Sequence, residues 1–459
     1  MNKTGTLILF FLSLSSLFVQ CKSSSQSNKQ TPQFVGTIDS ENDYQDQEEA
    51  EYYDRNHIRY ENHVYAEGIK SVQLYSQGWE LSQPVIRLNT EEQLKLSFDQ
   101  LDSALTNYSY TFIHCNANWE PSGLVFPEYI NGLSEDFIQD NFYSRGTFQR
   151  YIHYNLYFPN PSIRFILSGN YIVKVWVTDN EEDIVLTRRF MVVDNKVNIQ
   201  ANIHPATNVA DRFQKQEVDF TLNSTNYQMT NPYKDLKVVI LQNYRWDNAA
   251  TNLRPVFVKE NSIEFDLDDQ NVFNGGNEFR FFNIKDLQFR STNVDRITYT
   301  NQVNNVYLTA QKPRTTQVYL DQPDLNGQFV VKRDGSSWDS DVDSDYAFVH
   351  FKLQYPQVIT NGDIYVFGEL TGWNFNKDAK MTYNYNSQAY EVTLYLKQGY
   401  YNYEFIYLKD GEAKADEKFI EGSHYQAENA YTILVYHRGI SDDYDKLIGL
   451  QNFSFPPNR

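Results

Sequence analysis

Short runs in which apolar and polar residues alternate, separated by turn residues, recur along most of this 459-residue chain. Such alternation puts successive side chains on opposite faces of a strand. The runs "IKSVQLY", "PVIRL", "QLKLSF", "SYTFIHC", "RYIHYNLYF", "NYIVKVWV" and "IVLTRRFMVV" form a first series. With no long helical period among them, they predict a β-sandwich over residues 57–194, ordered from near Tyr60. One interruption, "PEYINGLSEDFIQDNFYS" at 127–144, leaves room for a short helix. A second series, from "VNIQANI" to "NVYLTA", predicts a second sandwich over 195–338, and Asn274-Gly275-Gly276-Asn277 reads as a turn between two of its strands. The stretch "DGSSWDSDVDSD", 334–345, reads as a boundary or long loop. A third sandwich follows over 339–438, and 439–459 reads as a polar tail. The predicted fold class is all-β: tandem immunoglobulin-like β-sandwich domains.

Composition supports that assignment and narrows function. Tyr (35) and Phe (31) are abundant while Met (4) and Cys (2) are rare, and aromatic residues suit pleated, half-buried surfaces. The net charge of −19 makes polyanions poor partners, which sets nucleic acid aside. At the N-terminus, Lys3 precedes an apolar core, "LILFFL" at 7–12 with Leu14, Leu17, Phe18 and Val19. This is too short for a membrane span and reads as an export signal over 1–21. Cys21 and the polar stretch "KSSSQSNKQ" after it have the form of a bacterial lipoprotein signal, so lipidation of Cys21 is expected. Val19 and Gln20 depart from the usual small residues before the Cys, and an ordinary signal peptide is the alternative. Residues 22–56 read as a disordered polar and acidic linker, with eight acids and no Lys or Arg in 39–54. Cys115 then has no disulfide partner and is expected to be a buried thiol.

Few groupings point to chemistry. Asp339, Asp341, Asp343 and Asp345 alternate, but an EF-hand loop needs Gly at its sixth position and Glu at its twelfth. Counting from Asp339 gives Ser344 and His350, and from Asp341 gives Tyr346 and Lys352, so this stretch reads as a solvated loop. No His-Glu-x-x-His or Cys-x-x-Cys spacing occurs, and no metal or cofactor is expected. His114 and Cys115 are adjacent, so a strand sends them to opposite faces. Neither a nucleophile elbow nor a Walker loop occurs. Trp119, Trp246 and Trp373 would stack on a sugar or partner if exposed and would anchor cores if buried, and burial is the expectation.

Several longer stretches line up in order with a known family. They are "SFDQL" at 97–101, "YTFIHCNANWEPS" at 110–122, "EYINGL" at 128–133, "SGNYIVKVW" at 168–176 and "TRRFMVV" at 187–193. "QEVDFTLN" at 216–223, "VVILQNYRWDNA" at 238–249, "NVFNGGNEFRFFNIKDL" at 271–287 and "YHRGISDDYDKLIG" at 436–449 follow. Together they resemble the type IX secretion system plug proteins of the Bacteroidota, over about residues 57–450. The residues that mark the likeness are His114, Cys115, Trp119, Gln242, Asn243, Arg245, Trp246, Asp247, Gly275, Gly276, Asn277 and Arg280. The resemblance implies a non-enzymatic periplasmic protein that occludes the periplasmic mouth of the outer-membrane translocon β-barrel between transport events. It implies no small-molecule substrate.

The third domain also resembles glycogen-binding modules, through "DIYVFGELTGW" and "AYEVTLYLKQGYYNYEFIYLKDGE", and that resemblance implies that the last domain, 339–438, is of the early-set (E-set) immunoglobulin-like type. Trp373 matches that family's first stacking tryptophan, and Asn429 falls near its terminal sugar-binding Asn. Glu404 stands where those modules carry a sugar-binding Lys, and Glu412-Ala413 stand where a second stacking tryptophan would be. A carbohydrate-binding outer-membrane lipoprotein using Trp373 is therefore the second expectation. A glycoside hydrolase with a carboxylate pair is a distant third.

Overall fold

The computed structural model describes residues 58–456 apart from 103, 268, 337 and 338. The signal, the linker and Cys21 lie outside the described residues. The chain is all-β, and its short strands bury their apolar faces by pairing sheets into sandwiches.

In the first sandwich, one sheet runs in the order His63–Val64, Ile184–Val193, Gly169–Val177, Tyr108–Cys115, Asp136–Phe137. Val85–Arg87 pairs parallel to Ile184–Val193. The facing sheet is Ile69–Ser76, Leu94–Gln100, Ile152–Phe158, Asp140–Tyr143. Between them Leu94, Leu96 and Phe98 meet Phe112, Val173 and Phe190 in one core. The stretch read as room for a helix holds one turn, Phe126–Tyr129, and then the short strands Ile130–Gly132, Asp136–Phe137 and Asp140–Tyr143. The last two are the edges of the two sheets.

The second sandwich departs from the expected linear order. One sheet is Asn198–Pro205, Lys215–Asn223, Ser262–Phe265 and Phe257–Lys259, with Val272–Asn274 against Lys215–Asn223. The other is Leu236–Gln242, Asn429–His437 and Lys446–Phe455. The C-terminal segment expected to be a polar tail thus supplies a strand to the second sandwich, with Ile433, Val435 and Ile448 in its core. The strands from Arg280–Asn283 to Gly399–Lys409, including those assigned by sequence to the second sandwich, build a third core around Phe282, Val306, Phe351 and Phe405. The third sandwich is an insertion into the second, and the expected limits at 338/339 and 438/439 do not match the sheets. Alternation marks strands but not which sheet a strand joins, and the pairing of Leu236–Gln242 with Asn429–His437 spans about 190 residues.

The glycine pair sits where the chain leaves and re-enters the second sandwich. It is not a hairpin turn: Asn274 pairs with Lys215 of the second sandwich, while Arg280 pairs with Tyr403 of the third. A Cβ at Gly275 would lie 2.1 Å from the His424 carbonyl oxygen on the returning segment. Only glycine lets the two passes approach so closely.

The sandwiches are joined by two kinds of contact. The first meets the second through apolar side chains, with Cys115, Trp119, Ile172 and Met191 packed against Val239, Leu241 and Leu434. The first meets the third through charge. Phe98 points into the first core, so Asp99 points the other way, yet it is wholly buried because the third sandwich covers it. Asp99 accepts from Lys397 Nζ (2.5 Å), the Tyr346 hydroxyl (2.6 Å) and His153 Nδ1 (2.6 Å). His153 Nε2 lies 3.5 Å from Asp341, which Lys95 also holds at 2.7 Å. Burial works against a charged His153, but Asp341 and Asp99 outweigh it and raise its pKa. Burial would raise Asp99, but Lys397 and His153 hold it below the ordinary carboxylate range.

The acidic stretch read as a solvated loop is therefore a clamp. Asp343 and Asp345 are buried, and Asp345 accepts from the backbone N–H groups of Phe148 (2.8 Å) and Gln149 (3.0 Å) of the first sandwich. Two of its acids, Asp341 and Asp345, are turned towards partners that lie about 190 to 250 positions away, which no local pattern reveals, while Asp339 accepts from Asp341 N and Asp343 from Ser336 Oγ nearby.

Breaking this cluster has a large expected cost. Asp99→Ala leaves Lys397 and His153 buried without their carboxylate and should destabilise the chain by about 3–5 kcal/mol in urea unfolding. The pH dependence follows from the shifts. A raised His153 contributes stability that is complete below its unfolded value of about 6.5 and is lost as pH rises through the folded value. The depressed Asp99 and Asp341 contribute stability present above about pH 4 and lost in acid. Above pH 6.5, the unfolding midpoint should therefore fall more steeply for the native chain than for His153→Gln. Parallel slopes would contradict the assignment.

Candidate functional site

The residues singled out by sequence converge on the junctions between sandwiches. The strand Leu236–Gln242 ends where Asn243 and Tyr244 take positive φ angles, 53° and 64°, and reverse the chain. Asn243 holds the returning strand: its Nδ2 donates to Asn429 Oδ1 at 2.7 Å, and its Oδ1 accepts from Ala430 N at 2.8 Å. Gln242 donates to the Asn274 carbonyl at 2.8 Å and accepts from Asn248 at 3.0 Å. The turn delivers Arg245 into the third sandwich. Its guanidinium, 3% exposed, meets Asp247 (2.6 Å), Glu417 (2.6 Å) and Glu404 (3.2 Å). Burial, with Glu417 beside it, pushes the Glu404 carboxyl well above its ordinary range despite Arg245.

A second arginine repeats the device. Arg280 meets Glu421 at 2.9 Å and donates to Gln311 Oε1 and the Lys312 carbonyl. Arg314 reaches the other Glu421 oxygen at 2.7 Å. Burial opposes ionisation of Glu421, but the two guanidinium groups outweigh it and hold its pKa at about 2. Asn277 donates to the Glu421 carbonyl at 2.9 Å, and Gly276 N donates to Ser423 Oγ at 3.2 Å.

In the first sandwich, Trp119 takes a positive φ of 67° and meets Trp246 of the second edge-on, with ring centres 5.0 Å apart. The Arg189 guanidinium lies over both rings, 4.5 and 5.5 Å from their centres. His114 and Cys115 fall into different surroundings. His114 packs on Tyr129, Tyr171 and Tyr444, and burial lowers its pKa to about 4. Cys115 lies in the apolar cluster between sandwiches, and burial pushes its thiol to about 12. Neither is charged near neutrality, and an uncharged thiol is a poor nucleophile.

Trp373 faces inward. Its φ is 58°, and the Arg245 guanidinium lies over its ring, 5.2 Å from the centre. Phe279 and Phe367 meet it at steep angles. A sugar stacking on the Arg245 side would have to displace the guanidinium. Glu404 is buried against the same arginine, and Asn429 is enclosed by Asn243, Gln216 and Gly275, whereas Glu412 and Ala413 are exposed. The residues aligned with a sugar site are thus not gathered on one open surface. A hollow of about 400 Å³ elsewhere on the third sandwich is lined by Tyr407, Lys409, Glu412, Lys414 and Lys418, charged more than aromatic.

Sequence reasoning missed Asp99, His153, Lys397, Glu417 and Glu421 as partners. Alternation carried no signal for them: Asp99 follows the core residue Phe98 and shares its strand face with Lys95 and Ser97, and Lys397 shares its face with Glu391 and Thr393, so each reads as an ordinary outward position.

These features define an all-β protein of three sandwiches, the first packed on the second through apolar side chains and the third tied to both by buried arginine, lysine and carboxylate groups. Its first sandwich matches the model for the type 9 secretion system plug protein 1st domain over residues 69–194. A solved structure of a hypothetical protein from Parabacteroides merdae ATCC 43184 superposes with a TM-score of 0.84 at 34% identity, covering 87% of this chain and 100% of that one. No curated protein matches. The chain belongs to the type 9 secretion system plug protein family. That is a secretion plug family and not an enzyme family, and membership implies association with secretion-system components and a periplasmic location.

Two outcomes test the junction. Arg245→Ala leaves the buried Glu417 and the partly buried Asp247 without their cation and should cost about 3–5 kcal/mol by denaturant unfolding. The folded chain should show no retardation in gels containing α-glucans, and Trp373→Ala should change stability but not mobility. Retardation abolished by Trp373→Ala would establish a sugar site.

Proposed function

We propose that this chain closes the periplasmic mouth of the outer-membrane barrel of the type 9 secretion system between transport events. The observation that carries the reading is the plug-domain match of the first sandwich. Occlusion is a task of area, shape and stiffness, and a standard protein interface buries about 1,600 Å². Stiffness fits the way the sandwiches are cross-linked, since Asp99–Lys397 and Arg245–Glu404 each bridge two of them. The task requires no catalytic group, and His114 and Cys115 are enclosed and uncharged.

Among the described residues no helix is long and apolar enough to cross a membrane. On this reading the chain is held at the outer membrane by a lipid on Cys21. A single acyl chain binds membranes only marginally, so a stable anchor takes more than one chain or a second contact. The barrel itself supplies the second contact.

Purification of a tagged barrel from cells without substrate should bring this chain down, and barrels jammed with substrate should carry much less of it. Deleting the chain should admit large antibiotics that the intact outer membrane excludes. A barrel free of this chain, together with an unchanged barrier, would end the reading. Mass spectrometry of the mature N-terminus should find acyl groups on Cys21, and Cys21→Ser should move the chain to the soluble fraction. An unmodified terminus would remove the anchor.

A further inference from the structure

The second sandwich carries a grouping that the plug reading does not use. Strands Asn198–Pro205 and Lys215–Asn223 are antiparallel neighbours, with His204 directly opposite Glu217. Core residues Val218, Phe220 and Leu222 point inward, so Glu217 and Asp219 share the outer face with His204. Each of the three offers a ligand atom, and these atoms lie within 4.8 Å of one another. We propose that His204, Glu217 and Asp219 bind one divalent cation of the zinc class.

The contacts around the three residues support this. His204 Nδ1 faces the Pro205 carbonyl at 2.9 Å, which fixes the ring and leaves Nε2 towards the carboxylates. Asp219 Oδ1 accepts from Asn271 Nδ2 at 3.0 Å, which leaves Oδ2 towards His204. Glu217 Oε2 accepts from Thr207 N at 2.6 Å. Every candidate ligand thus has its far atom tied to a partner outside the trio, the arrangement that orients metal ligands in proteins.

One further atom points to a missing partner. Asn271 is wholly buried beside Asp219, and its Oδ1 has no hydrogen-bond partner among the described residues. A buried amide oxygen without a donor or cation is costly.

The metal class follows from the ligands. One imidazole and two carboxylates suit Zn²⁺ and its neighbours, whereas Ca²⁺ and Mg²⁺ take oxygen ligands. His204 Nε2 and Asp219 Oδ2 stand 2.7 Å apart as a hydrogen-bonded pair. Metal–ligand distances of about 2.0–2.2 Å in a tetrahedral site separate ligands by about 3.3 Å, so the pair must open by about 0.6 Å. His204 and Asp219 are about a quarter exposed, which gives the ion a path in and leaves a fourth position for water. The spacing, a His followed thirteen and fifteen positions later by Glu and Asp, matches no zinc motif, and for that reason none was expected from sequence.

The test is calorimetric titration of the chelator-treated full chain with Zn²⁺. One ion per chain is expected. Glu217→Gln and Asp219→Asn, which keep size and shape, should each weaken binding at least about tenfold. His204→Ala should abolish it. Co²⁺ in place of Zn²⁺ should give the visible absorption of a four-coordinate site, absent in the same variants, while His350→Gln leaves both readouts unchanged. Circular dichroism of each variant separates loss of the site from loss of the fold. No binding at about 100 μM Zn²⁺, or binding that survives Glu217→Gln and Asp219→Asn in folded protein, would overturn the proposal.

Discussion

Asp99 is the group on which the assembly of this molecule depends. A carboxylate with no exposure is tolerable only when its lone pairs are filled, and three donors from two sandwiches fill them. Two of those donors, Lys397 and Tyr346, belong to the third sandwich. The first sandwich therefore cannot hide Asp99 without the third in place, and the third cannot neutralise Lys397 without the first. This mutual need sets how the two bodies meet more strictly than apolar packing would, because a grease contact tolerates sliding and a buried ion pair does not.

The arginine junctions apply the same logic between the second and third sandwiches. Arg245 crosses to Glu404 and Glu417 while Asp247, two residues on, closes the fork from its own side. Guanidinium geometry is directional, and a lysine would satisfy fewer of these oxygens. Such networks contribute less to net stability than well-packed apolar residues of the same volume would. Their value here lies in fixing one arrangement of three bodies. That suits the closing role proposed above, and the most distinctive sequence stretch, "QNYRWDN", lies at a junction between sandwiches.

Strands and their inward faces were readable from alternation, because period two is a local property. The family was readable because its junction residues are unusual for a generic sandwich. What could not be read was connectivity. The C-terminal run "KLIGLQNFSF" looks polar beside the strands before it, since half of it faces solvent, and nothing nearby tells that it completes a sheet begun near residue 236. The glycine pair has the composition of a hairpin but serves a crossing of two chain passes. Asp341 and Asp345 look solvated because their partners, Lys95 and the backbone at 148–149, are distant in sequence. Trp373 matched a sugar-binding pattern because a sandwich needs an aromatic there, and its true neighbour, Arg245, comes from another module. In each case the residue type was informative and the partner was not.

The insertion of the third sandwich within the second also sets an order of events when the chain is made. Contacts so far apart in sequence form slowly, because loop closure precedes their reward. As the chain emerges N-terminus first, Leu236–Gln242 has no sheet partner until the final strands arrive, and its apolar face and backbone edge stay open meanwhile. The whole third sandwich lies between the two partners of this strand pair in sequence. A chain built this way carries an unpaired strand edge from about residue 236 until its last strands are made, and exposed edges of this kind are where chains stick to one another.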